Sequence, residues 1–412
     1  MLKIVMLSTG EEVLHGNIVD TNAAWLSRLF FEEGFELTKR STVGDNVTRL
    51  REELMMLSLN ANVVIVNGGL GPTSDDLTTE VAAEVAEQEL VFSEQWSQKL
   101  TEFFAKRGKT VSDINLKQAM LPRDAVMLDN PIGTACGFKL RINECDFYFT
   151  PGVPSEFKMM ISEQVLPDLH QYYPKRQRIE CHTLFTLGSS ESELAELLDP
   201  IHLPAGYFLG YRSYVPFIEV KLFAPKGDAD TAYKIVEMLF KRIAKWTVSI
   251  GKTMIKQLCQ SMREKGTTYS LAEESTSGWI ANCLSNESDI LSLMGSCWVL
   301  GPGVGQTIAH EEPLAAALAL AGATRSKSGT DVSLVSGRIE NGQFSLALST
   351  PEGEWGQILE LRRNVTREET KIMIGTIAID MLLRYLTGKP VMGQYSIAKD
   401  VKKLHLPAKV LS

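Results

Sequence analysis

Two adjacent carboxylates, Asp75 and Asp76, follow the turn Gly68-Gly69-Leu70-Gly71-Pro72-Thr73, and that turn follows the apolar run Val63-Val64-Ile65-Val66. Residues of these types at this spacing can handle phosphate. Glycines let the backbone turn sharply and approach a ligand, and successive N–H groups cradle an anion. Carboxylate oxygens can then hold a magnesium-like cation against it. Gly68, Gly69, Gly71 and Thr73 are the candidate phosphate-holding residues, and Asp75 and Asp76 the candidate cation ligands. The same stretch also reads as an ordinary strand-to-helix turn with an aspartate N-cap.

The elements that must position these groups alternate along the first third of the chain. Leu2–Leu7 reads as a strand with the exit loop Ser8-Thr9-Gly10, and Asp20-Thr21-Asn22 as the cap of a helix with Trp25, Leu26, Leu29 and Phe30 on one face. Phe35–Val43 reads as a second strand ending at Gly44-Asp45-Asn46, followed by a helix bearing Val47, Leu50, Leu54 and Leu57. Val63–Asn67 is the third strand. This α/β alternation predicts a doubly wound, mostly parallel sheet with ligands outside the carboxyl ends of its strands. The loops there carry Glu11, Glu12, Asp20, Asp45, Asp75 and Asp76. Each alone is an ordinary cap or solvated charge; together they predict one metal and phosphate site.

A length of 412 residues implies roughly two to four domains. The hydrophobic share of 44% and charged share of 22% are those of a soluble globular chain. A net charge of -8 lacks the basic excess that nucleic-acid binding requires, which argues against DNA or RNA as partner. The six cysteines show no Cys-x-x-Cys pair, as expected of reduced, packed thiols in a cytoplasmic protein. Neither a signal peptide nor a membrane-spanning stretch is apparent.

The expected domains are residues 1–172, a small α+β unit over 173–251, an α/β domain over 252–392 and a loosely packed tail over 393–412. In the third of these, Ser275 lies in Glu274-Ser275-Thr276-Ser277-Gly278, a turn opening a helix after a strand. It reads as a nucleophile or as a helix N-cap.

Several motifs occur together and in order: Thr9-Gly10-Glu11-Glu12-Val13-Leu14-x-Gly16, Asp20-Thr21-Asn22, Val43-Gly44-Asp45-Asn46, Gly68-Gly69-Leu70-Gly71-Pro72-Thr73-x-Asp75-Asp76-x-Thr78, Asn130-x-x-Gly133-Thr134-Ala135 and Pro151-Gly152-Val153-Pro154-x-Glu156. Together they resemble the CinA (competence and damage-inducible) family. The resemblance implies a molybdopterin-binding-like first domain, a KH-like small domain and a deamidase-like last domain, in a homodimer. It implies metal-dependent hydrolysis of ADP-ribose to AMP and ribose 5-phosphate, with magnesium, manganese or cobalt as the divalent metal. Asp45 and Asp76 would be the catalytic acids; Asp45, Asp75, Asp76 and Glu12 the metal ligands; and Thr9, Gly10, Gly68, Gly69, Gly71, Thr73 and Thr134 the nucleotide-binding residues.

Active members of the family deamidate nicotinamide mononucleotide (NMN) from a Glu-Ser-x-Thr-Gly-Gly start, with a Tyr-x-Asn-x-x-Lys segment activating the serine. Here Trp279 replaces the second glycine, and Trp298-Val299-Leu300-Gly301-Pro302-Gly303-Val304-Gly305 carries neither tyrosine nor lysine. A serine without a positioned base is a poor nucleophile, so the deamidase is expected to be lost. The alternative to a pyrophosphatase is a non-catalytic nucleotide or pterin sensor.

Overall fold

The computed structural model describes residues 2–174, 177–301, 312–362 and 365–411. The chain divides into two compact units, Met1–Glu180 and Cys181–Ser412.

In the first unit the strands are β1 (Ile4–Thr9), β2 (Leu37–Val43), β3 (Val63–Asn67), β4 (Leu90–Phe92), β5 (Met120–Pro122), β6 (Val126–Leu128), β7 (Gly137–Ile142) and β8 (Cys145–Thr150). Six form a sheet in the order β2-β1-β3-β8-β7-β6, while β4 and β5 make a separate ribbon. The strands β2, β1, β3 and β8 are parallel, and β7 and β6 add an antiparallel edge. β1 and β3 are buried at every residue, which is why both read as apolar runs rather than as an alternation.

The pleat distributes these strands between two cores. Val5, Leu7, Val64 and Val66 pack with Leu50, Leu54 and Leu57 of the helix Val47–Asn60. Ile4, Met6, Val63 and Ile65 pack with Ala23, Leu26 and Phe30 of the helix Thr21–Glu32. The two helices therefore cover opposite faces, as a doubly wound sheet requires. Their starts are fixed by side-chain caps: Asp20 accepts from the Ala23 N–H at 2.8 Å and Asn46 from the Arg49 N–H at 3.0 Å. The parallel order brings the ends of β1, β2, β3 and β8, and the loops after them, to one end of the sheet.

The second unit holds two sheets. The strands β9 (Ile179–Leu187), β10 (Phe208–Tyr214), β11 (Phe217–Pro225) and β12 (Thr247–Ile250) form the order β10-β11-β9-β12. The strands β13 (Tyr269–Glu273), β14 (Met294–Val299), β15 (Val332–Glu340), β16 (Gln343–Thr350), β17 (Gly353–Leu361) and β18 (Ala398–Pro407) form the order β14-β13-β15-β16-β17-β18. The helix Arg367–Leu386 starts from a capping box between Thr366 and Glu369 and is buried along most of its length.

The 173–251 segment has the expected α+β content and a core of its own, in which Leu184, Val220 and Leu222 pack with Leu194, Ile235 and Leu239. Phe185, Leu187 and Val248 of the smaller sheet lie outside it and join Met254, Leu258, Ile377 and Leu382 in a second hydrophobic cluster. Both clusters fall within the compact unit Cys181–Ser412. Residues 393–412 depart from the expected tail. β18 pairs antiparallel with β17 from Leu361↔Ala398 to Gly353↔Pro407, and the buried Tyr395 donates its hydroxyl to Asp380 at 2.7 Å. Among the described residues no helix is long and apolar enough to cross a membrane.

Candidate functional site

The loops after β1, β2, β3 and β8 surround a cleft of about 470 Å³. Thr9, Gly10, Glu12, Asp45, Gly68, Gly69, Gly71, Asp75, Asp76 and Thr134 all line it, so the fold brings these sequence-predicted residues together. Thr73, the remaining candidate in this unit, closes the turn beside them through Asp76.

Their roles divide once the hydrogen bonds are followed. The Gly68 N–H donates to the Thr150 carbonyl at 2.9 Å and the Gly10 N–H to the Val43 carbonyl at 3.1 Å, so neither is available to an anion. Gly68 and Gly10 instead supply conformation, with φ of +112° and +131°. A Cβ on Gly68 would stand 2.6 Å from the Thr9 hydroxyl, and one on Gly10 2.8 Å from Glu12 Oε1. The donors are the next residues along. Among the described hydrogen bonds the N–H groups of Gly69, Leu70 and Gly71 have no protein acceptor, and all three residues line the cleft, the kind of turn whose successive N–H groups can take an anion.

Asp76 is committed to the turn itself. Its Oδ2 accepts from the Thr73 N–H at 2.9 Å and the Thr73 hydroxyl at 2.6 Å, and it folds over Gly71, where any side chain would collide with it. Lys117 reinforces the turn by donating to the Asp76 carbonyl at 3.0 Å. Asp76 and Thr73 are thus holders of the loop, not the free groups that adjacent acids in the sequence suggested.

Asp45 and Asp75 are pushed in opposite directions. The Asp45 carboxyl lies above the ordinary value, chiefly through burial, with Glu12, Asp75 and Glu11 adding negative charge; the Glu11 N–H donating at 3.1 Å partly offsets this. The exposed Asp75 is held below the ordinary value by the Thr73 hydroxyl, by its own backbone N–H and by the Lys117 ammonium. Carboxylates held apart in this way suit different tasks, one accepting protons and the other remaining ionised.

Among the described residues no three acidic, histidine or cysteine groups stand close enough to ligate one ion by themselves. The oxygen chemistry fits a cation that takes most of its shell from water and substrate phosphate, with only one or two carboxylates, which is the magnesium pattern. Asp45, Asp75 and Glu12 line the cleft, and a cation there would take at most two of them at once.

Three cleft residues to which the sequence assigned no binding role also matter. Asn22 donates its amide to Asn67 Oδ1 at 3.1 Å and to the Gly152 carbonyl at 2.9 Å. Gln118 donates to the Leu70 carbonyl at 3.3 Å and the Thr134 hydroxyl at 3.4 Å. Backbone carbonyls only accept, so both amides are fixed with their oxygens the other way, and neither oxygen has a partner among the described residues. Glu156 accepts from Asn130 at 2.7 Å and packs against Gly133, holding the loop that carries Thr134. The link from Gln118 to Leu70 spans 48 residues, beyond any local pattern.

The second sequence-predicted site is not assembled. The Ser275 hydroxyl is buried without a hydrogen-bond partner among the described residues. The neighbouring Glu273 is turned inward, accepting from the Thr276 hydroxyl at 2.6 Å and from the Ile280 and Ala281 N–H groups at 3.0 and 2.7 Å. Trp279 packs on Gly375, where a Cβ would collide with its ring. Residues 302–305 of the degenerate segment lie outside the described residues.

A family model described as a probable molybdopterin binding domain matches residues 5–171. A CinA-like protein of Escherichia coli O17:K52:H18 is 38% identical over 411 residues, covering 98% of this chain and 99% of that protein. The chain belongs to the CinA-like family. Another relative, the NMN amidohydrolase-like protein YfaY of Escherichia coli K12, is likewise 38% identical, over 98% of this chain and 100% of its own length. Among solved structures a CinA protein from Thermoplasma acidophilum is 26% identical with a TM-score of 0.37, covering 41% of this CinA-like chain and 96% of that one. The expected family is thus shown, and the α/β fold of its first domain agrees with the sheet order above.

Proposed function

We propose that the cleft of the first unit hydrolyses a nucleotide pyrophosphate with a divalent cation, ADP-ribose to AMP and ribose 5-phosphate being the reaction implied by the sequence resemblance. The observation that carries this reading is the pairing of a raised Asp45 with a lowered Asp75 beside three uncommitted N–H groups in one cleft. A water oxygen bonds to one phosphorus as the bridging P–O bond breaks. The bridging oxygen leaves on the other phosphate with the electron pair, and Asp45 takes the water proton. The N–H groups of Gly69, Leu70 and Gly71 stabilise charge on a non-bridging oxygen as it grows. A bound cation would neutralise phosphate charge and acidify the water. Asp75 stays ionised to hold it, and Asp76 keeps the turn closed.

The reading is tested by incubating the protein with ADP-ribose and magnesium and separating the products. Equal amounts of AMP and ribose 5-phosphate are expected. Binding without products would favour the nucleotide or pterin sensor, a reading supported by the lack of a pre-gathered ligand set among the described residues. Protonating Asp45 removes the base, so the rate should fall as pH drops through its raised pKa. The acid limb of kcat/KM, which reports the free enzyme, should therefore lie above the ordinary aspartate value of 3.8, and a limb at or below that value would separate Asp45 from the chemistry.

The name of the K12 relative raises NMN deamidation as another activity. Against it stand the Ser275 hydroxyl, which has no hydrogen-bond partner among the described residues, and Glu273, which is turned inward onto Thr276, Ile280 and Ala281. The protein is expected to release no ammonia from NMN beyond the level of its own Ser275→Ala variant, and release above that level would restore the deamidase.

A further inference from the structure

The helix Glu94–Ala105 borders a second groove of the first unit, about 500 Å³ in volume, and none of its lining residues belongs to the cleft described above. The two cavities are neighbours along the chain: Asn130 and Gly133 line the groove, Thr134 and Ala135 the cleft. A cavity of this size accommodates a small organic molecule.

The groove is built rather than incidental. Trp96 donates its indole N–H to the Thr134 carbonyl at 3.2 Å, and Lys99 pairs with Asp129 at 2.6 Å, so the helix and the opposite loop are tied at two points. Trp96 and Leu100 are buried at its base, while Phe103 is half-buried and Pro131 exposed, which gives an apolar wall open to a ligand. The helix then folds back on itself. Gly108 has φ +67°, and the Gly108 and Lys109 N–H groups donate to the Ala105 and Phe104 carbonyls. That return lays the Arg107 guanidinium 3.5 Å from the Phe103 ring centroid.

Arg107 spends Nη1 on the Phe103 carbonyl at 3.2 Å, and among the described residues neither Arg107 nor Lys106 has an acidic partner. A helix C-terminus favours cations, which accounts for their charge but not for the cavity they overlook. Lys99 and Asp129 neutralise each other, so Lys106 and Arg107 stand against Glu102 alone and leave the groove one net positive charge in a chain of net charge -8.

From the cavity, its apolar wall and its uncommitted cations we propose that this groove is a second ligand site, for a flat aromatic molecule bearing one carboxylate. Arg107 and Lys106 hold the carboxylate, and the side of the groove formed by Phe103 and Pro131 covers the ring. A guanidinium presents parallel N–H groups that match a carboxylate, and one already stacked on an aromatic ring loses less freedom when it binds. The charge balance sets the selectivity. One net positive charge suits a monoanion, while Glu102 and Asp129 oppose the higher charge of a polyphosphate.

The test is calorimetric titration of the full chain, without magnesium, with 2-naphthoate, with neutral 2-naphthol and with acetate. The wild type should bind 2-naphthoate about tenfold or more tightly than either comparator, the contribution expected of a charge-assisted hydrogen bond. Arg107→Gln with Lys106→Gln, both at exposed positions and checked for folding by circular dichroism, should bring 2-naphthoate down to the level of 2-naphthol. Binding of magnesium pyrophosphate should be unchanged in that variant. Gly69→Ala, altered in the cleft instead, should keep 2-naphthoate within about twofold of the wild type. Absent 2-naphthoate binding, or equal affinity for 2-naphthoate and 2-naphthol, would overturn the site. So would loss of 2-naphthoate in Gly69→Ala with the double variant unaffected, which would place the ligand in the cleft. A change in sedimentation of the double variant with 2-naphthoate affinity intact would also overturn it and assign the groove to contact between copies of the chain. None of these outcomes depends on turnover of ADP-ribose, so the groove and the pyrophosphatase stand or fall separately.

Discussion

Asp45→Asn is expected to lower kcat for AMP formation by about 10² to 10⁴-fold, the usual contribution of a positioned general base. Ligand affinity should change far less, because asparagine keeps an oxygen to accept from the Glu11 N–H. The separation matters because Glu12, Glu11 and Asp75 surround Asp45, and removing one negative charge from that group eases phosphate binding. A variant that binds ADP-ribose as well as or better than the wild type but turns it over slowly is the expected signature. An equal loss in kcat and in affinity would make Asp45 a cation ligand only. Asp76→Ala should behave differently, lowering stability and affinity together, since that carboxylate closes the turn through Thr73.

Gly69→Ala is the second large effect. Gly69 has φ +69°, and a Cβ there would collide with the hydroxyl of Thr78, a buried residue whose N–H donates to the Gly69 carbonyl at 3.1 Å. Backbone strain and overpacking each cost about 1–3 kcal/mol. At about 2–4 °C per kcal/mol for a domain of this size, the thermal midpoint should fall by several degrees. Gly16→Ala is the control: φ is +72° but nothing lies within 4 Å, so only the conformational cost applies. If both variants lose the same stability, the packing of Gly69 on Thr78 contributes nothing. Gly69→Ala should also weaken pyrophosphate binding, because moving this residue misaligns the three donors.

The sequence carries a signal wherever burial writes a pattern. Val63–Asn67 is buried at all positions and its bounds agree with those read from the apolar run. The helix Met254–Lys265 is set by a Thr253 cap and by Gly266 in the left-handed conformation, both visible as residue types. β18 left no such trace. It is an exposed edge strand with lysines at 399, 402 and 403, held by backbone pairing to β17, so no apolar alternation marks it.

The site shows the same division. The positions of the acids followed from strand-end topology, but their roles depended on which hydrogen bonds were already made. Gly68, Gly10, Thr73 and Asp76 are occupied by partners in the protein, and Gly69, Leu70 and Gly71 are not. Asn22 lay inside a recognised motif and Gln118 outside any, and only the tertiary structure shows that each amide has spent its donors and kept its oxygen free.

The most direct test of the central claim is a single turnover of ADP-ribose in ¹⁸O-enriched water with magnesium, followed by mass spectrometry of both products. Hydrolysis at phosphorus predicts one ¹⁸O in the phosphate of either AMP or ribose 5-phosphate, no label on carbon beyond the spontaneous exchange of the free C1 hydroxyl, and loss of the reaction on chelation or in Asp45→Asn. Products whose phosphates both lack the label, or ADP-ribose bound and recovered intact by the wild type, would contradict it.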